Sequence, residues 1–520
     1  MKKKYTINTG REVVEREINY IPVRYIIAMI ITVLELVAMI GIVIALTIYV
    51  PYFYIALWIT EIACVIKIVS SDDNPEYKSP WLLVTIVLPI VGFMLYFVFY
   101  KRKLSKKFVK RMQRVKTEFV VKQDNTVFDS LAQQDVVACN QAKLICKVSD
   151  SVLFKNNKTT YFALGEDMHK AMLKDIEQAQ KFVLLEYFII EQGIFWDSIL
   201  HLLRQKASEG VDIKVIFDDI GCMSTLPGEY AKTLQSFGIQ ATLFSKLKGN
   251  VDGEFNNRNH RKILVVDGKV GYTGGVNVAD EYINKKQRFG HWKDIGVRMQ
   301  GECVNGLTNL FLQDWGINVK KLDILDTQWY TRDDEHTKGY IIPFGDGPYP
   351  VYKYRVGKNV IQSMVAGATK SVVITTPYLI IDNDLCQCLE NASLRGIDVK
   401  IVIPHVPDKK LVFELGKSYA SRLMQSGVQI FEYTPGFIHA KTYLVDDKVA
   451  MVGTINLDYR SLVHHFENGV WMYDCDCIAD IKKDMDAVLQ QSEQKTTNDY
   501  KPNLLKRFVI AIARIFAPMF

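Results

Sequence analysis

Two stretches of the chain carry the same chemically capable residues at identical spacing. In residues 258–280 they are His260, Lys262, Asp267, Gly274, Gly275 and Asn277. In residues 437–458 they are His439, Lys441, Asp446, Gly453, Thr454 and Asn456. Both follow the order His-x-Lys, four residues, Asp, six residues, Gly-Gly or Gly-Thr, one residue, Asn. A duplicated set of imidazole, ammonium and amide groups predicts one active site built from two halves, suited to phosphate-ester chemistry.

Each residue type suits a step of phosphodiester transfer. Lys262 and Lys441 would place positive charge on the nonbridging oxygens, and Asn277 and Asn456 would donate amide hydrogen bonds. Preorganised donors of this kind are worth about 3–4 kcal/mol each in a water-poor site. One histidine would attack phosphorus to give a phosphohistidine, and the other would protonate the departing alkoxide and then deprotonate the incoming hydroxyl. The sequence symmetry alone leaves open which histidine is the nucleophile.

The other motif residues are interpreted as structural. Asp267 and Asp446 complete the catalytic motif at the end of its strand, where each is expected to hold a turn or a contact between the halves. The paired glycines allow the backbone to approach closely. The sequence shows neither an acidic metal cage nor a phosphate-binding glycine loop. We therefore expect no metal and no cofactor, because the two lysines can neutralise the phosphate charge.

The elements around the motifs also repeat. GVDIKVIF at 210–217 matches GIDVKIVI at 396–403 position by position, and each follows a helix-like stretch preceded by an apolar, β-rich run. Strands that alternate with helices predict an α/β fold with helix-covered mixed sheets. Two homologous halves would pack about a pseudo-twofold axis and bring both motifs to one cleft.

A carboxylate follows each motif at a matching place. HWKDIGVRM at 291–299 aligns with HHFENGVWM at 464–472, which places Asp294 opposite Glu467. A carboxylate on the far imidazole nitrogen fixes the tautomer and stabilises the imidazolium, so Asp294 and Glu467 are predicted to orient the histidines. The neighbouring histidines are interpreted as packing or surface residues: His291, His464 and His465.

The N-terminal region is predicted to enter a membrane. Residues 25–50 and 81–100 are apolar over about the 20 residues that span a bilayer. Residues 52–69 form a third candidate, weakened by Glu61 and Lys67. We therefore expect a multi-pass membrane segment rather than buried helices of a soluble domain or a cleaved signal peptide.

Charge distribution predicts the topology. Residues 101–117 contain nine lysines and arginines and no acidic residue until Glu118, so the positive-inside rule places residue 101 onward in the cytoplasm. Nine cysteines without a CxxC pattern are typical of free thiols in a reducing compartment. Three spans would leave the basic N-terminal tail outside, against the same rule. A kinked or partly re-entrant 25–69 segment would return the tail to the cytoplasmic side and remove this conflict.

The paired motif resembles the phospholipase D superfamily. Further segments resemble bacterial cardiolipin synthases over nearly the whole chain: NPEYKSPW, RNHRK, GGVNVADEY, FLQDW, TPYLIID and GTINLDYRSL. The resemblance implies phosphatidyl transfer between two phosphatidylglycerol molecules, with His260 as nucleophile and His439 as general acid and base. Lys293 stands where the family often has arginine, and DGPY at 346–349 replaces the usual S-G-P-D run.

Alternatives remain at this stage. The enzyme could be a membrane phospholipase D or a phosphatidyltransferase with a different alcohol or lipid partner. A nuclease is disfavoured because the basic block lies beside the membrane segments rather than among stacking aromatic residues, so no nucleic-acid partner is expected. A catalytically inactive scaffold is disfavoured because all six His, Lys and Asn positions are intact. The expected partners are phosphatidylglycerol and anionic membrane lipid, at a bacterial cell membrane.

The predicted organisation has six parts. In chain order they are a tail at 1–24, transmembrane segments at 25–100, a basic juxtamembrane segment at 101–122, phospholipase D-like halves at 123–330 and 331–495, and an amphipathic segment at 496–520. The last segment is expected to lie in the membrane interface, with a helix docked into the core as the alternative.

Overall fold

The computed structural model covers the chain from end to end, and its described residues are 2–8, 13–19, 23–49, 51–71, 74–96, 104, 106–118, 122–246, 256–318, 329–331 and 337–519. Part of the predicted basic segment, including Lys101, Arg102 and Lys103, lies outside them.

The helices and strands within these residues alternate along most of the chain. The α-helices are α1 Val23–Tyr49, α2 Pro51–Val69, α3 Pro75–Val87, α4 Pro89–Leu95, α5 Lys106–Glu118, α6 Thr126–Gln134, α7 Val136–Ser149, α8 Gly165–Glu177, α9 Ile194–Ser208, α10 Tyr230–Gln235, α11 Val304–Asn318, α12 Val356–Ala366, α13 Asn383–Leu394, α14 Lys410–Gln425, α15 Ile478–Gln490 and α16 Leu504–Ile515. The strands are β1 Lys2–Asn8, β2 Val13–Asn19, β3 Phe154–Lys155, β4 Lys158–Phe162, β5 Phe182–Tyr187, β6 Asp212–Asp218, β7 Gln240–Phe244, β8 Lys262–Val266, β9 Val270–Gly274, β10 His291–Lys293, β11 Gly296–Gln300, β12 Tyr340–Asp346, β13 Ser371–Thr375, β14 Leu379–Ile380, β15 Asp398–Pro404, β16 Gln429–Tyr433, β17 Gly436–Ile438, β18 Thr442–Val445, β19 Val449–Gly453, β20 Leu457–Asp458, β21 Glu467–Tyr473 and β22 Ser492–Lys495.

The first half is built on a seven-stranded mixed sheet in the order β4-β11-β9-β8-β5-β6-β7. Its interior strand β5 is apolar apart from Glu186 and buried at every position, as expected for a strand covered on both faces. Val183 and Leu185 pack with α8 and α9, whereas Leu184 packs with α11. Alternate side chains of one strand therefore reach two helical layers.

The second half repeats this arrangement in a nine-stranded sheet, β22-β16-β15-β13-β18-β19-β21-β12-β3. The run β21-β19-β18-β13-β15-β16 corresponds strand for strand to β11-β9-β8-β5-β6-β7. The predicted α/β fold with two homologous halves is confirmed.

Residues just before the first sheet pack on the second half. β3 pairs with β12 at the edge of the nine-stranded sheet. Gln141 in α7 donates to the Ser363 carbonyl in α12 at 3.2 Å. The part of the chain near 126–155, predicted within the first half, therefore interlocks the two halves.

The N-terminal region contains one candidate span among the described residues, where the sequence predicts three. Among the described helices, α1 contains a segment long and apolar enough to cross a membrane, Met29–Leu46, and none of that segment is buried. The predicted span at 81–100 is not one continuous helix, because Leu88 leaves helical geometry (φ −124°, ψ 72°) before Pro89, which has no N–H to donate. The described residues thus provide one candidate spanning helix, and the multi-pass arrangement stays a prediction.

The segment after α2 docks on the α/β body. Asn74 caps α3 by accepting from the Glu76 amide at 2.9 Å, and Asn383 donates its backbone N–H to the Glu76 carboxylate at 3.0 Å. Tyr459 donates its hydroxyl proton to the same carboxylate, and its ring meets Tyr77 edge-on with centroids 5.4 Å apart. The membrane-proximal helix therefore contacts the loop that follows the second motif.

Candidate active site

Each motif histidine is hydrogen-bonded to a carboxylate of the other half. His260 Nδ1 lies 2.9 Å from Glu467 Oε2, at the first residue of β21. His439 Nδ1 lies 2.6 Å from Asp294 Oδ2, between β10 and β11. All four side chains are buried. The sequence predicts these two carboxylates as histidine partners, but it does not predict that the pairs cross between the halves.

Backbone hydrogen bonds at the junction of the halves produce this crossing. The His260 amide donates to the Phe466 carbonyl at 2.8 Å, which places Glu467 beside the imidazole. The His439 amide donates to the Lys293 carbonyl at 2.7 Å, which does the same for Asp294. β10 also runs parallel to β17 in the residues leading to this contact. The pseudo-twofold relation therefore extends to the main chain around both imidazoles.

Burial makes both imidazoles poor bases before substrate binds. It lowers the pKa of His260 to about 3 and, together with the Lys441 ammonium, the pKa of His439 to about 4. Burial alone would raise the pKa of Glu467, but its interactions with His260 and His465 hold that pKa well below the usual range. A neutral imidazole that donates from Nδ1–H to its carboxylate keeps the Nε2 lone pair available.

The two lysines lie beneath the imidazoles and are fully buried. Lys262 donates to the His260 carbonyl at 2.8 Å. Lys441 donates to the His439 carbonyl and has its Nζ 2.8 Å from His439 Nδ1. Burial lowers the pKa of Lys262 to about 7 and that of Lys441 to about 8, while Glu467 and Asp294 raise both. The charges of the two lysines and the two carboxylates therefore interact across the junction of the halves.

The two asparagines differ in how far their side chains are already engaged. Asn277 accepts from the Ile189 amide at 3.2 Å and donates to the Tyr282 hydroxyl at 2.6 Å. Asn456 is buried, and its amide oxygen has no hydrogen-bond partner among the described residues. Asn277 is thus held at both ends of its amide, whereas the amide oxygen of Asn456 is buried without a protein partner among the described residues.

The motif aspartates hold turns and do not contact the imidazoles. Asp267 has a left-handed φ of 54° and accepts the backbone amides of residues 180, 181 and 182. Asp446 also has φ 54° and accepts the amides of residues 369, 370 and 371. Each therefore fastens the motif turn to the strand entrance of its own half, and neither makes the contact between halves that the sequence left open.

Three residues surround Glu467; Thr454 belongs to the second motif, whereas Ser461 and His465 could not be found from the repeat. Thr454 and Ser461 donate hydroxyl protons to its carboxylate, Ser461 at 2.8 Å. His465, predicted to be a packing or surface residue, lies 3.6 Å from Glu467 Oε1 and 5.5 Å from His260 between ring centroids. The first half offers no counterpart of His465 at the aligned position, so sequence symmetry carried no signal for it.

The same residues form the one cluster in the described chain with donor atoms close enough to hold a metal ion. His260, His465 and Glu467 each offer a donor atom within 4.8 Å of the others. Glu467, however, already accepts hydrogen bonds from His260, Thr454 and Ser461. Because these hydrogen bonds already occupy both carboxylate oxygens, the donor set fits a hydrogen-bonded imidazole better than a metal.

Aromatic side chains line both imidazoles. Phe188 meets His260 with ring centroids 5.1 Å apart. Tyr282 and Trp292 each lie 5.4 Å from His439, and Phe437 lies 5.8 Å from it. These walls lower the local dielectric, which strengthens every charge interaction with a bound phosphate.

The family comparison agrees with this geometry. Residues 172–315 and 361–489 match the family described as "Cardiolipin synthase, PLD-like domain", and together these ranges cover just over half of the chain. The chain belongs to the cardiolipin synthase family. Residues 62–99 also match the family described as "Phospholipase_D-nuclease N-terminal".

Relatives of this cardiolipin synthase family member align over most of its length. A protein of Streptococcus mutans is 40% identical over 88% of this chain and 100% of its own. A cardiolipin synthase of Oceanobacillus iheyensis is 32% identical over 89% of this chain and 98% of its own. A solved phosphatidylserine synthase of Haemophilus influenzae has a TM-score of 0.56 at 15% identity, covering 73% and 97% of the two chains, and so shares the fold.

Two family-like segments meet behind the first motif. Arg261, from RNHRK, pairs with Asp314, from FLQDW, at 2.8 Å in a fully buried contact. Asn259 donates to Glu186 and, at 3.3 Å, to Asp314. Burial raises the pKa of Glu186 well above its usual value, and Asp314 adds to the rise. This buried network fixes the chain on either side of His260.

The two departures from the family pattern have structural roles. The Lys293 ammonium forms an ion pair with the Asp484 carboxylate at 2.8 Å. Asp346, the first residue of DGPY, accepts the backbone amides of Gly347, Val356 and Gly357 and thereby holds the start of α12. Both therefore support the fold around the cardiolipin synthase site.

Proposed function

We propose that this protein is a cardiolipin synthase that transfers a phosphatidyl group between two phosphatidylglycerol molecules and releases glycerol. The observation that supports the reaction best is the crossed pair of buried histidine–carboxylate contacts above two buried lysines. This arrangement supplies a nucleophile, a proton carrier and positive charge without a metal.

In the first step, His260 Nε2 attacks phosphorus of the first phosphatidylglycerol, and the bond from phosphorus to the glycerol headgroup oxygen breaks. Lys262 and Lys441 neutralise the nonbridging oxygens, and Asn456 lies where its amide can contact the headgroup. The imidazole becomes a phosphatidyl-imidazolium whose Nδ1–H is held by the ionised Glu467. Thr454, Ser461 and His465 surround Glu467, and a carboxylate fixed in this way supports His260 as the nucleophile.

His439 carries the proton in both steps. The anionic substrate raises the pKa of this imidazole, because an opposite charge favours its protonated form, so His439 can protonate the departing glycerol alkoxide. It then takes the proton of a glycerol hydroxyl on the second phosphatidylglycerol, which attacks phosphorus and displaces His260. Asp294 stabilises the transient imidazolium.

Incubation of the purified protein with labelled phosphatidylglycerol tests the reaction. We expect cardiolipin and glycerol in equal amounts. Phosphatidic acid without cardiolipin would contradict the synthase and favour a membrane phospholipase D. Cardiolipin made only after adding another phospholipid class would instead indicate a different phosphatidyl partner.

We also propose that the catalytic region faces the cytoplasm from a membrane-embedded N-terminal region. The exposed apolar segment Met29–Leu46 and the nine free cysteines support this placement. A C-terminal alkaline phosphatase fusion should be inactive and a C-terminal fluorescent protein fusion bright. The opposite pair of results would place residue 101 onward outside the cytoplasm.

A further inference from the structure

A cationic groove lies between α14, α16 and the 499–502 segment. Its cavity measures about 350 Å³, within the ~300–1,000 Å³ range of small-ligand sites. Five basic side chains line it: Lys417, Lys501, Lys506, Arg507 and Arg514. Glu414 and Asp499 are the two acidic lining residues, so the lining has three positive charges in excess. It contains no residue of either catalytic motif.

The acidic residues of this groove are already engaged. Glu414 is shared between Lys417 at 3.4 Å and Lys506 at 3.7 Å. Asp499 accepts the backbone amide and the hydroxyl of Thr496, each at 2.7 Å. Within the described residues, the side chains of Lys501 and Arg507 form neither an ion pair nor a hydrogen bond. The positive excess is therefore available to an anion.

The helix beside the groove presents its large apolar side chains outward. Leu504, Leu505 and Phe508 are 85%, 74% and 65% exposed, and Val509, Ile512 and Ile515 continue this exposed face. In contrast, the small residues Ala513 and Ala517 are buried in the main core. A helix docked into the core would bury its large residues, so this orientation fits a helix lying in a membrane interface.

The position of α16 puts this face beside the membrane-proximal region. α16 and the residues just after it contact α3, which follows α1 and α2 in the chain. The Arg514 guanidinium lies over the ring of Tyr419 in α14, 4.9 Å from the ring centroid. The Glu76 carboxylate of α3 also interacts electrostatically with Tyr419. An apolar face, a cationic groove and the membrane-proximal helix thus adjoin one another.

We propose that this groove binds the headgroup phosphate of an anionic phospholipid in the bilayer, with the acyl chains along the exposed face of α16. This second lipid site would hold the α/β body against the membrane surface while lipids exchange at the histidines. The proposal does not depend on the reaction proposed above, because it requires only an anionic lipid in the membrane.

Hydrogen–deuterium exchange of the full chain in lipid nanodiscs tests the site. We compare discs of phosphatidylcholine alone with discs that also contain phosphatidylglycerol, and follow the amides of 504–515. Slower exchange with phosphatidylglycerol is expected in the native protein. The Lys501→Gln/Arg507→Gln variant should lose this protection, since each basic residue near the surface contributes about fivefold in lipid affinity.

Two control variants distinguish the loss of this site from a folding defect and from a general loss of surface charge. Lys143→Gln/Lys147→Gln removes two exposed charges from α7 and should keep the protection. Lys501→Arg/Arg507→Lys retains the charge and should keep it too, which excludes a folding defect. Two results would overturn the proposal: exchange of the native protein that is equally slow in both disc types, or slowing by phosphatidylglycerol in the Lys501→Gln/Arg507→Gln variant equal to that in the native protein. Protection by soluble glycerol phosphate in phosphatidylcholine discs would overturn the lipid as the ligand.

Discussion

The two histidine sites share a skeleton but differ in what surrounds each carboxylate. Glu467 is held by two hydroxyl groups, from Thr454 and Ser461, with His465 nearby. Asp294 has a glycine at the position that corresponds to Thr454. A Cβ on Gly275 would lie 2.0 Å from Asp294 Oδ1, so this carboxylate excludes the side chain that the other site uses. The two sites therefore differ at one motif position, Gly275 against Thr454, and in the groups that contact each carboxylate.

The lysines add a second difference. Lys441 Nζ lies 2.8 Å from His439 Nδ1, whereas Lys262 contacts the carbonyl oxygen of its histidine. The pKa of His439 is thus lowered by burial and by the adjacent Lys441 and raised by Asp294. His260 rests on one firmly held anion. A fixed anion suits an imidazole that must carry the phosphatidyl group, and a balanced environment suits one that exchanges protons.

Removing either imidazole should have the largest effect and should separate the two roles. His260→Ala should abolish both transfer and the covalent intermediate. His439→Ala should lower turnover by about 10²–10⁴-fold, the usual contribution of a general acid and base, while the phosphatidyl-histidine accumulates. Mass spectrometry after acid-free quenching measures the intermediate. Its accumulation in His260→Ala instead would reverse the assignment.

Neutralising the carboxylates should test whether the crossed pairs are equivalent. Glu467→Gln and Asp294→Asn keep shape but replace the anion that accepts from Nδ1–H, so both should lose about 10²–10⁴-fold in kcat. We expect the larger loss for Glu467→Gln in formation of the intermediate, and for Asp294→Asn in its breakdown. Rapid-quench measurement of the two steps checks this, and equal effects on both steps would remove the distinction.

The lysines should produce an alkaline limb in the pH profile. Their pKa values, about 7 for Lys262 and about 8 for Lys441, lie below the ordinary lysine value, so positive charge is lost as pH rises through this window. kcat/KM reports the free enzyme and should fall there. Lys262→Arg should shift the fall to higher pH at reduced activity, because a guanidinium stays charged. An unmoved limb would exclude Lys262 as its source.

Loss of one hydroxyl should have a smaller effect, specific to the first histidine. Thr454→Val preserves the side-chain shape and removes a hydrogen bond to Glu467. A bond to a charged group is worth about 1.5–3 kcal/mol, so turnover should fall by about 10–150-fold. Gly275→Ala is the matched change in the other half and should act through displacement of Asp294. A Thr454→Val enzyme with native kinetics would show that this support is dispensable.

Glu76→Gln should have the smallest effect. It weakens the contact between α3 and Tyr459, three residues beyond Asn456, without touching a motif residue. We expect a severalfold decrease in activity in membranes and an unchanged melting temperature of the α/β body, measured by circular dichroism. Tyr459→Phe removes the same hydrogen bond from the other side and should match it.

Sequence periodicity predicted the architecture because the duplicated strands and helices recur in the same order. GVDIKVIF and GIDVKIVI become β6 and β15, and each pairs in parallel with the strand beside the motif strand of its sheet. The motif residues and both carboxylates were identifiable because they occupy matching positions when the two halves are aligned. Which carboxylate meets which histidine was not, because that depends on the junction hydrogen bonds of Phe466 and Lys293.

Residues outside the repeat escaped prediction for the same reason. His465 lacks a counterpart in the first half, and its closeness to His260 arises from packing between the halves. The apolar run at 81–100 has the composition of a span, but hydropathy does not register the backbone break at Leu88 or the docking of Tyr77 in the main core. Composition identifies an apolar segment, and contacts decide what covers it.

The crossed carboxylates also set the order in which activity can arise during synthesis of the chain. Glu467 begins β21, which is inserted between β19 and β12 and lies 207 residues after His260 in the chain. A nascent chain that has not reached this strand holds His260 without its anion, although its N-terminal helix is complete. A translation product truncated before Glu467 would thus contain the complete first motif but lack the carboxylate that holds its imidazole.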